Sequence, residues 1–345
     1  MNPYESLPAT AFWRTAVASR PPLEVGPLWQ PKWPIDRDTR IAAFGSCFAR
    51  NFGRAVRTRG FTFVDAEPAP ATLPEADRRR LGYDLFSARI GNIYTPRQLL
   101  QWLQWASGER PVPDHFWTRD GRTHDPVRPG VEPDGFASHA EAEASRRTTI
   151  ASVAQALAQT DLLVFTLGLT EAWRDRASGL EYPIAPGVFA DSFDPARDAF
   201  HEHRLAEVLD DLTAVLDLLQ RLRPGMKILL TIAPGPMIAT ASGQHVLVAT
   251  SGCKAILRAA AGEMARRPEC DYFPSYEMAT SPPYRAMFFA PNLRDISAFG
   301  VGVVMNTFFG ALGLDAETAP GTGPQPATAD PECDEAELET FAPQP

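Results

Sequence analysis

The sequence predicts an α/β fold, a three-layer sandwich in which helices cover both faces of a central parallel sheet. Three observations carry this. Short, predominantly apolar runs at 41–44, 161–168 and 225–232 run into glycine or proline, as strands buried on both faces do. Segments with helix-spaced apolar residues separate them. No hairpin spacing links the runs, so their connections must cross over the sheet.

Taken in order, residues 1–38 hold Trp13, Trp29 and Trp33 among many prolines. They are too aromatic for a disordered tail, and predict an arm packed on the body with a short helix at 11–18. The first strand stops at Gly45, and Ser46 and Cys47 follow. Apolar residues at 48, 49, 52, 55 and 56 then mark a helix to about 59. Residues 60–64 read as a second strand or the loop back into it. Residues 66–80 read as loop, with one helical turn at 75–80. Pro96 opens a helix over 97–106. The stretch 108–138 is irregular apart from a hairpin tip at Asp120-Gly121. Ser138 caps a helix to 159. The strand at 161–168 leads into Leu169-Thr170-Glu171. Helix 200–221, strand 225–232, helix 251–266, strand 271–277 and helix 297–312 complete the body. Three parts result: an arm, 1–38; an α/β body, 39–314; and a disordered acidic tail, 315–345.

Composition sets bounds. The chain has 345 residues, 33 of them proline, so long irregular connections are expected. Eight acidic residues and no Lys or Arg follow position 314, so most of the net charge of −9 belongs to the tail. The body is close to neutral with no basic stripe, which excludes general nucleic-acid binding. Four scattered cysteines (47, 253, 270, 333) show no pairing pattern and fit a reducing compartment. No leader and no run long enough to span a membrane is visible, so a cytoplasmic protein is expected.

In a parallel sheet, ligands bind beyond the carboxyl ends of the strands. The exits therefore hold the candidate chemistry: Ser46 and Cys47, Thr170 and Glu171, residues 234–245, and Ser275 to Glu277. A hydroxyl and a thiol at a helix start face free N–H groups suited to an oxyanion. Hydrolases of several folds place a nucleophile this way. The plainer alternative is that Ser46 caps the helix and Cys47 packs as a small apolar residue. Of six histidines only His245 follows a core strand, so it is the candidate base. His139, His201 and His203 read as solvated helix starts, and His115 and His124 as loop residues that can fold over the site. Glu171 is a candidate acid/base, or one half of an ion pair with arginine. No metal motif, phosphate loop or dinucleotide fingerprint is present, so neither metal nor cofactor is expected.

Phe44-Gly45-Ser46-Cys47-Phe48-Ala49 resembles the motif that names the GSCFA family. The likeness extends to Asn2-Pro3-Tyr4 with Phe12-Trp13, Leu167-Gly168-Leu169-Thr170-Glu171-Ala172-Trp173, Leu257-Arg258-Ala259-Ala260 and Tyr272-Phe273-Pro274-Ser275-Tyr276-Glu277, about residues 1–312 in all. That family is placed with the SGNH, or GDSL-like, hydrolases. The resemblance implies flavodoxin-like topology and cleavage or transfer of an ester-linked acyl group on a small molecule; an acylated carbohydrate is the expected substrate on our own reading, apart from the resemblance. Registered by Gly45, the superfamily's first block puts Cys47 at the nucleophile; a one-residue slip puts Ser46 there. Gly91 matches the glycine that lends an oxyanion N–H. Gly168 to Glu171 match the next block, with Thr170 in place of the oxyanion asparagine. Asn292 and Asp295 fall where the superfamily has its aspartate and histidine, so the usual base is replaced by a carboxylate. Ser275, Glu277 and Asn292 complete the expected substrate-binding set. A non-catalytic binding protein on a degenerate hydrolase scaffold is the rival expectation.

Overall fold

The computed structural model describes residues 2–314 and 334–343. Its centre is a four-stranded sheet of β1 (Ile41–Gly45), β4 (Leu162–Leu167), β8 (Lys227–Ile232) and β9 (Cys270–Tyr272), all parallel in the order β1-β4-β8-β9. Residues 60–64 contribute only a parallel bridge between Ile41 and Phe63. That bridge is what remains of the expected second strand, and it stands on the outer side of β1. With it the order is 2-1-3-4-5, the flavodoxin-like arrangement.

Alternate strand residues enter two cores. Ala42, Phe44, Leu163, Phe165, Ile228 and Leu230 face one side. There they meet α3 (Pro96–Ser107), α4 (His139–Gln159), α5 (Leu205–Leu222) and α6 (Val246–Met264). Ile41, Ala43, Leu162, Val164 and Leu229 face the other side, covered by α1 (Cys47–Thr58), α7 (Ser275–Thr280) and α8 (Ala298–Ala311). The three layers are thus as the apolar runs predict. α2 (Glu75–Arg80) is the single expected turn, and β2 (Trp117–Arg119) and β3 (Arg122–His124) form the hairpin around Asp120-Gly121.

The arm packs only in its second half. Trp29 stacks on Phe308 at 5.3 Å and its indole N–H donates to Asp271. Trp13 stays exposed, and 9–18 form two short turns rather than an α-helix. A larger difference lies at 198–203. Helix α5 begins at Leu205, and the preceding residues form β7 (Asp198–Glu202). It pairs antiparallel with β5 (Glu171–Asp175), which also pairs with β6 (Glu181–Tyr182). His201 is therefore a strand residue and His203, buried, lies just past the strand; neither is a solvated helix start. Aromatic Phe200, packed edge-on against Trp173, suits the strand better than a helix.

The segment 108–138 is irregular yet fixed by buried charge. Asp125 takes hydrogen bonds from Arg128 at 2.8 Å and Arg146 at 2.7 Å, and all three are buried. Burial pushes the Asp125 carboxyl up, but the two guanidiniums override it and hold the acid at about 2.

The expected disordered tail is corrected in part. Residues 315–333 lie outside the described residues. Asp334–Phe341 form a 3-10 turn docked on the body, with Leu338 against the core and Asp334 and Glu335 buried. Acidic composition misleads here because the carboxylates meet cations rather than water.

Candidate functional site

The carboxyl ends of β1 and β4 are tied together by backbone. Gly45 has φ +137°, and a Cβ there would lie 2.7 Å from Thr166 N, so only glycine fits. Ser46 N–H donates to Thr166 O at 3.1 Å, and Ile93 N–H to Gly45 O at 2.9 Å. Tyr94 O accepts from both Gly168 N–H, at 2.9 Å, and Leu169 N–H, at 3.1 Å. A Cβ on Gly168 would press on Tyr94 Cδ1 at 2.8 Å and Ser46 Cβ at 3.2 Å. Ser46, Tyr94 and Gly168 are therefore held in contact by the chain itself.

The side chains around that point are not satisfied. Among the described residues, Ser46 Oγ is buried with no hydrogen-bond partner and caps nothing. Tyr94 Oη and Thr170 Oγ1 are buried without a well-formed hydrogen bond, the phenol beside the Glu335 backbone and the Thr170 hydroxyl beside the Cys253 thiol. Each such hydroxyl costs about 1–3 kcal/mol, which structural use alone does not repay. Lys254, on the buried face of α6, donates from Nζ to Gly168 O at 2.8 Å. Burial lowers its pKa and raises that of the neighbouring Cys253 thiol. Arg50, one turn into α1, donates to Asn92 Oδ1 at 3.0 Å.

The C-terminal turn roofs this group. Burial raises the Asp334 carboxyl, opposed by the Asn92 side chain and the Arg50 guanidinium. Burial pushes Glu335 up to about 7 against the pull of Arg294 and Lys254. Burial, with the charges of Asp334 and Glu335, drives the Tyr94 phenol well up. Leu338 and Phe341 then form one wall of a cavity of about 960 Å³, whose other walls include Val188, Phe193 and Ile238.

Several expected site residues stand elsewhere. Cys47 is disulfide-bonded, so it offers no thiolate, and the cysteines do carry a pairing that their spacing hid. Cys253 and Cys270 are free. His245 is exposed and caps α6, its Nδ1 accepting from Leu247 N–H at 3.2 Å. Asp295 is exposed, bonded to Asn292 at 2.8 Å and paired with Arg294 at 2.8 Å, while Asn292 Oδ1 closes the local turn; neither faces Ser46 as a base or its orienter. Glu171 binds Thr240 Oγ1 and Ala241 N–H rather than an arginine, and burial raises its pKa. Ser275 is saturated by Thr231 and Ile232 O, and Glu277 by Arg258 and Tyr272, so both are structural. Gly91, at φ +69°, packs against Arg128. His115 bonds Tyr182 at 3.0 Å and His139 pairs with Asp114 at 2.7 Å. His124 is buried beside Gly135. No histidine or carboxylate hydrogen-bonds Ser46 Oγ.

Sequence reasoning missed Tyr94, Lys254 and Glu335. Lys254 left a signal, a lysine in register with buried Ala249, Leu257 and Ala261 on α6. Sequence spacing also did not group His201, His203 and Glu207, which come together beside β5.

The fold is a three-layer α/β sandwich on a parallel sheet, with buried hydroxyls and a buried lysine at adjacent strand exits. A model of the GSCFA family matches residues 40–308, and the chain belongs to that family. No curated protein matches it. No helix of the described residues is long and apolar enough to cross a membrane.

Proposed function

We propose that this protein is an SGNH-like hydrolase or acyltransferase, acting on an ester of a small molecule with an acylated carbohydrate as the expected substrate. One observation carries the reading: Ser46, Tyr94 and Thr170 place buried hydroxyls without well-formed hydrogen bonds around Gly168, beside a lysine whose pKa is lowered. Ser46 Oγ attacks the ester carbonyl. Lys254, within the same contact group, accepts its proton in the manner of a serine–lysine pair and returns it to the alcohol that leaves as the ester C–O bond breaks; water, or an acceptor hydroxyl in transfer, then takes the acyl group from Ser46 Oγ. Thr170 and Tyr94 donate to the developing oxyanion. A cytoplasmic site of action belongs to this reading, although disulfide-bonded Cys47 removes the cysteine argument for it.

A second reading has its own support. Ser46 has no base bonded to it and Cys47 has no thiol, which favours a scaffold that binds an acylated ligand without turning it over. Short-chain aryl esters separate the two. The hydrolase reading expects turnover in the parent, loss in Ser46→Ala and Lys254→Met, and retention in Cys47→Ala. Absence of turnover in all four proteins sinks it and leaves the binding reading.

A further inference from the structure

The pair His201 and His203 is the strongest cluster of ligating side chains outside the Ser46 group. His201 lies in β7 and His203 just beyond its end, and their rings meet edge to face with centroids 4.7 Å apart. Glu207 comes to the same point from the first turn of α5. One nitrogen of each ring and one Glu207 oxygen lie within 4.8 Å of one another, and His201 Nε2 is 3.0 Å from Glu207 Oε1. Ligand atoms around a tetrahedral zinc are roughly 3.3 Å apart, from bonds of about 2.0–2.2 Å. Small side-chain rotations close the difference.

A second set of contacts prepares the ligands. Buried His203 has Nε2 at 2.9 Å from Glu181 Oε2. In the tautomer that donates this bond, Nδ1 presents a lone pair, and Nδ1 is buried with no hydrogen-bond partner. Glu181 is itself fully buried and fixed by Thr95 Oγ1 and Arg174. Glu207 Oε2 is held by Arg204 N–H at 2.8 Å, which leaves Oε1 for the cluster. The charges close by are three carboxylates, Glu181, Glu207 and Asp211, against two guanidiniums, Arg174 and Arg97. A negative charge is left over.

We infer that His201, His203 and Glu207 form a binding site for a first-row divalent cation such as Zn²⁺. Two imidazoles and one carboxylate leave a fourth position open, and soft thiolate-selective metals find no sulfur ligand there. The bound ion would tie β7 to α5. Because His203 N–H donates to Thr170 O at 2.8 Å, the site adjoins the strand exit that carries Thr170, independently of whether Ser46 is catalytic.

The test uses the full chain without an affinity tag, freed of metal by chelator and titrated with Zn²⁺ by calorimetry. One ion per chain is expected, with a rise in thermal midpoint. His201→Ala and Glu207→Gln, both half-buried positions whose variants are checked for native circular dichroism, should each weaken binding at least about tenfold. His139→Ala should bind like the parent. Co²⁺ should give a visible absorption band that Glu207→Gln abolishes. The inference is overturned if the parent shows no saturable binding, or if His201→Ala and Glu207→Gln bind as the parent does.

Discussion

Replacing Ser46 by alanine tests the site through stability, without knowledge of the substrate. If Ser46 were a helix cap, its loss would cost about 0.5–2 kcal/mol. Its Oγ is instead buried at 2 % exposure and bonded to nothing. Removing an unsatisfied buried hydroxyl returns part of a desolvation cost of about 1–3 kcal/mol, less the small loss of packing. Ser46→Ala should therefore be neutral or more stable by up to about 2 kcal/mol. An unfolding entropy of roughly 2.1 cal/mol/K per residue, over 345 residues, makes 1 kcal/mol worth about 1.4 °C. Scanning calorimetry at one scan rate should show a midpoint unchanged or up to about 3 °C higher. Ser138→Ala is the matched control, since Ser138 Oγ accepts Glu141 N–H at 3.2 Å. It should fall by about 0.5–2 kcal/mol. A drop in Ser46→Ala as large as in Ser138→Ala would refute the reasoning and restore the cap.

Three further outcomes are expected. The Glu335 carboxyl is raised to about 7 from 4.5 in the unfolded chain. Its contribution to docking is full below 4.5 and gone once pH passes about 7. Proteolysis should therefore release 334–343 faster at pH 8 than at pH 5.5, and Glu335→Gln should flatten the difference; equal rates in the parent contradict the buried placement. Asp125→Ala leaves two buried guanidiniums unpaired and should destabilise by about 3–5 kcal/mol, read by urea unfolding. In the parent the depressed Asp125 protects above 3.8 and loses its contribution as pH falls toward 2. Under non-reducing conditions, alkylation should label Cys253 and Cys270 after unfolding but spare Cys47 until reductant is added. Labelling of Cys47 before reduction would count against the disulfide.

The sheet was legible because burial on both faces leaves predominantly apolar runs, and β1, β4 and β8 are such runs. Gly45 was legible too, since a strand-to-helix turn that tight admits no side chain. The strand at 198–202 was not, because Asp198, His201 and Glu202 mask an edge strand whose partners are 23 to 31 residues away. The site's other half was hidden for the same reason. Tyr94 reaches Gly168 through backbone bonds between distant loops, and no local pattern encodes such a contact. Glu335 sat in a stretch whose acidity reads as solvation, and only the cations on α1, α6 and the 290–295 loop reverse that meaning. The block alignment that put Asp295 at the base position followed sequence spacing, whereas Asn292 and Arg294 turn that carboxylate outward.

The C-terminal turn over the first strand's exit has a consequence for truncation. A chain cut after position 314 keeps the four-stranded sheet and α1 to α8, yet loses the carboxylates of Asp334 and Glu335 that lie near Arg50, Lys254 and Tyr94. Folding of the sheet and completion of the strand exit are thus separable in such a chain.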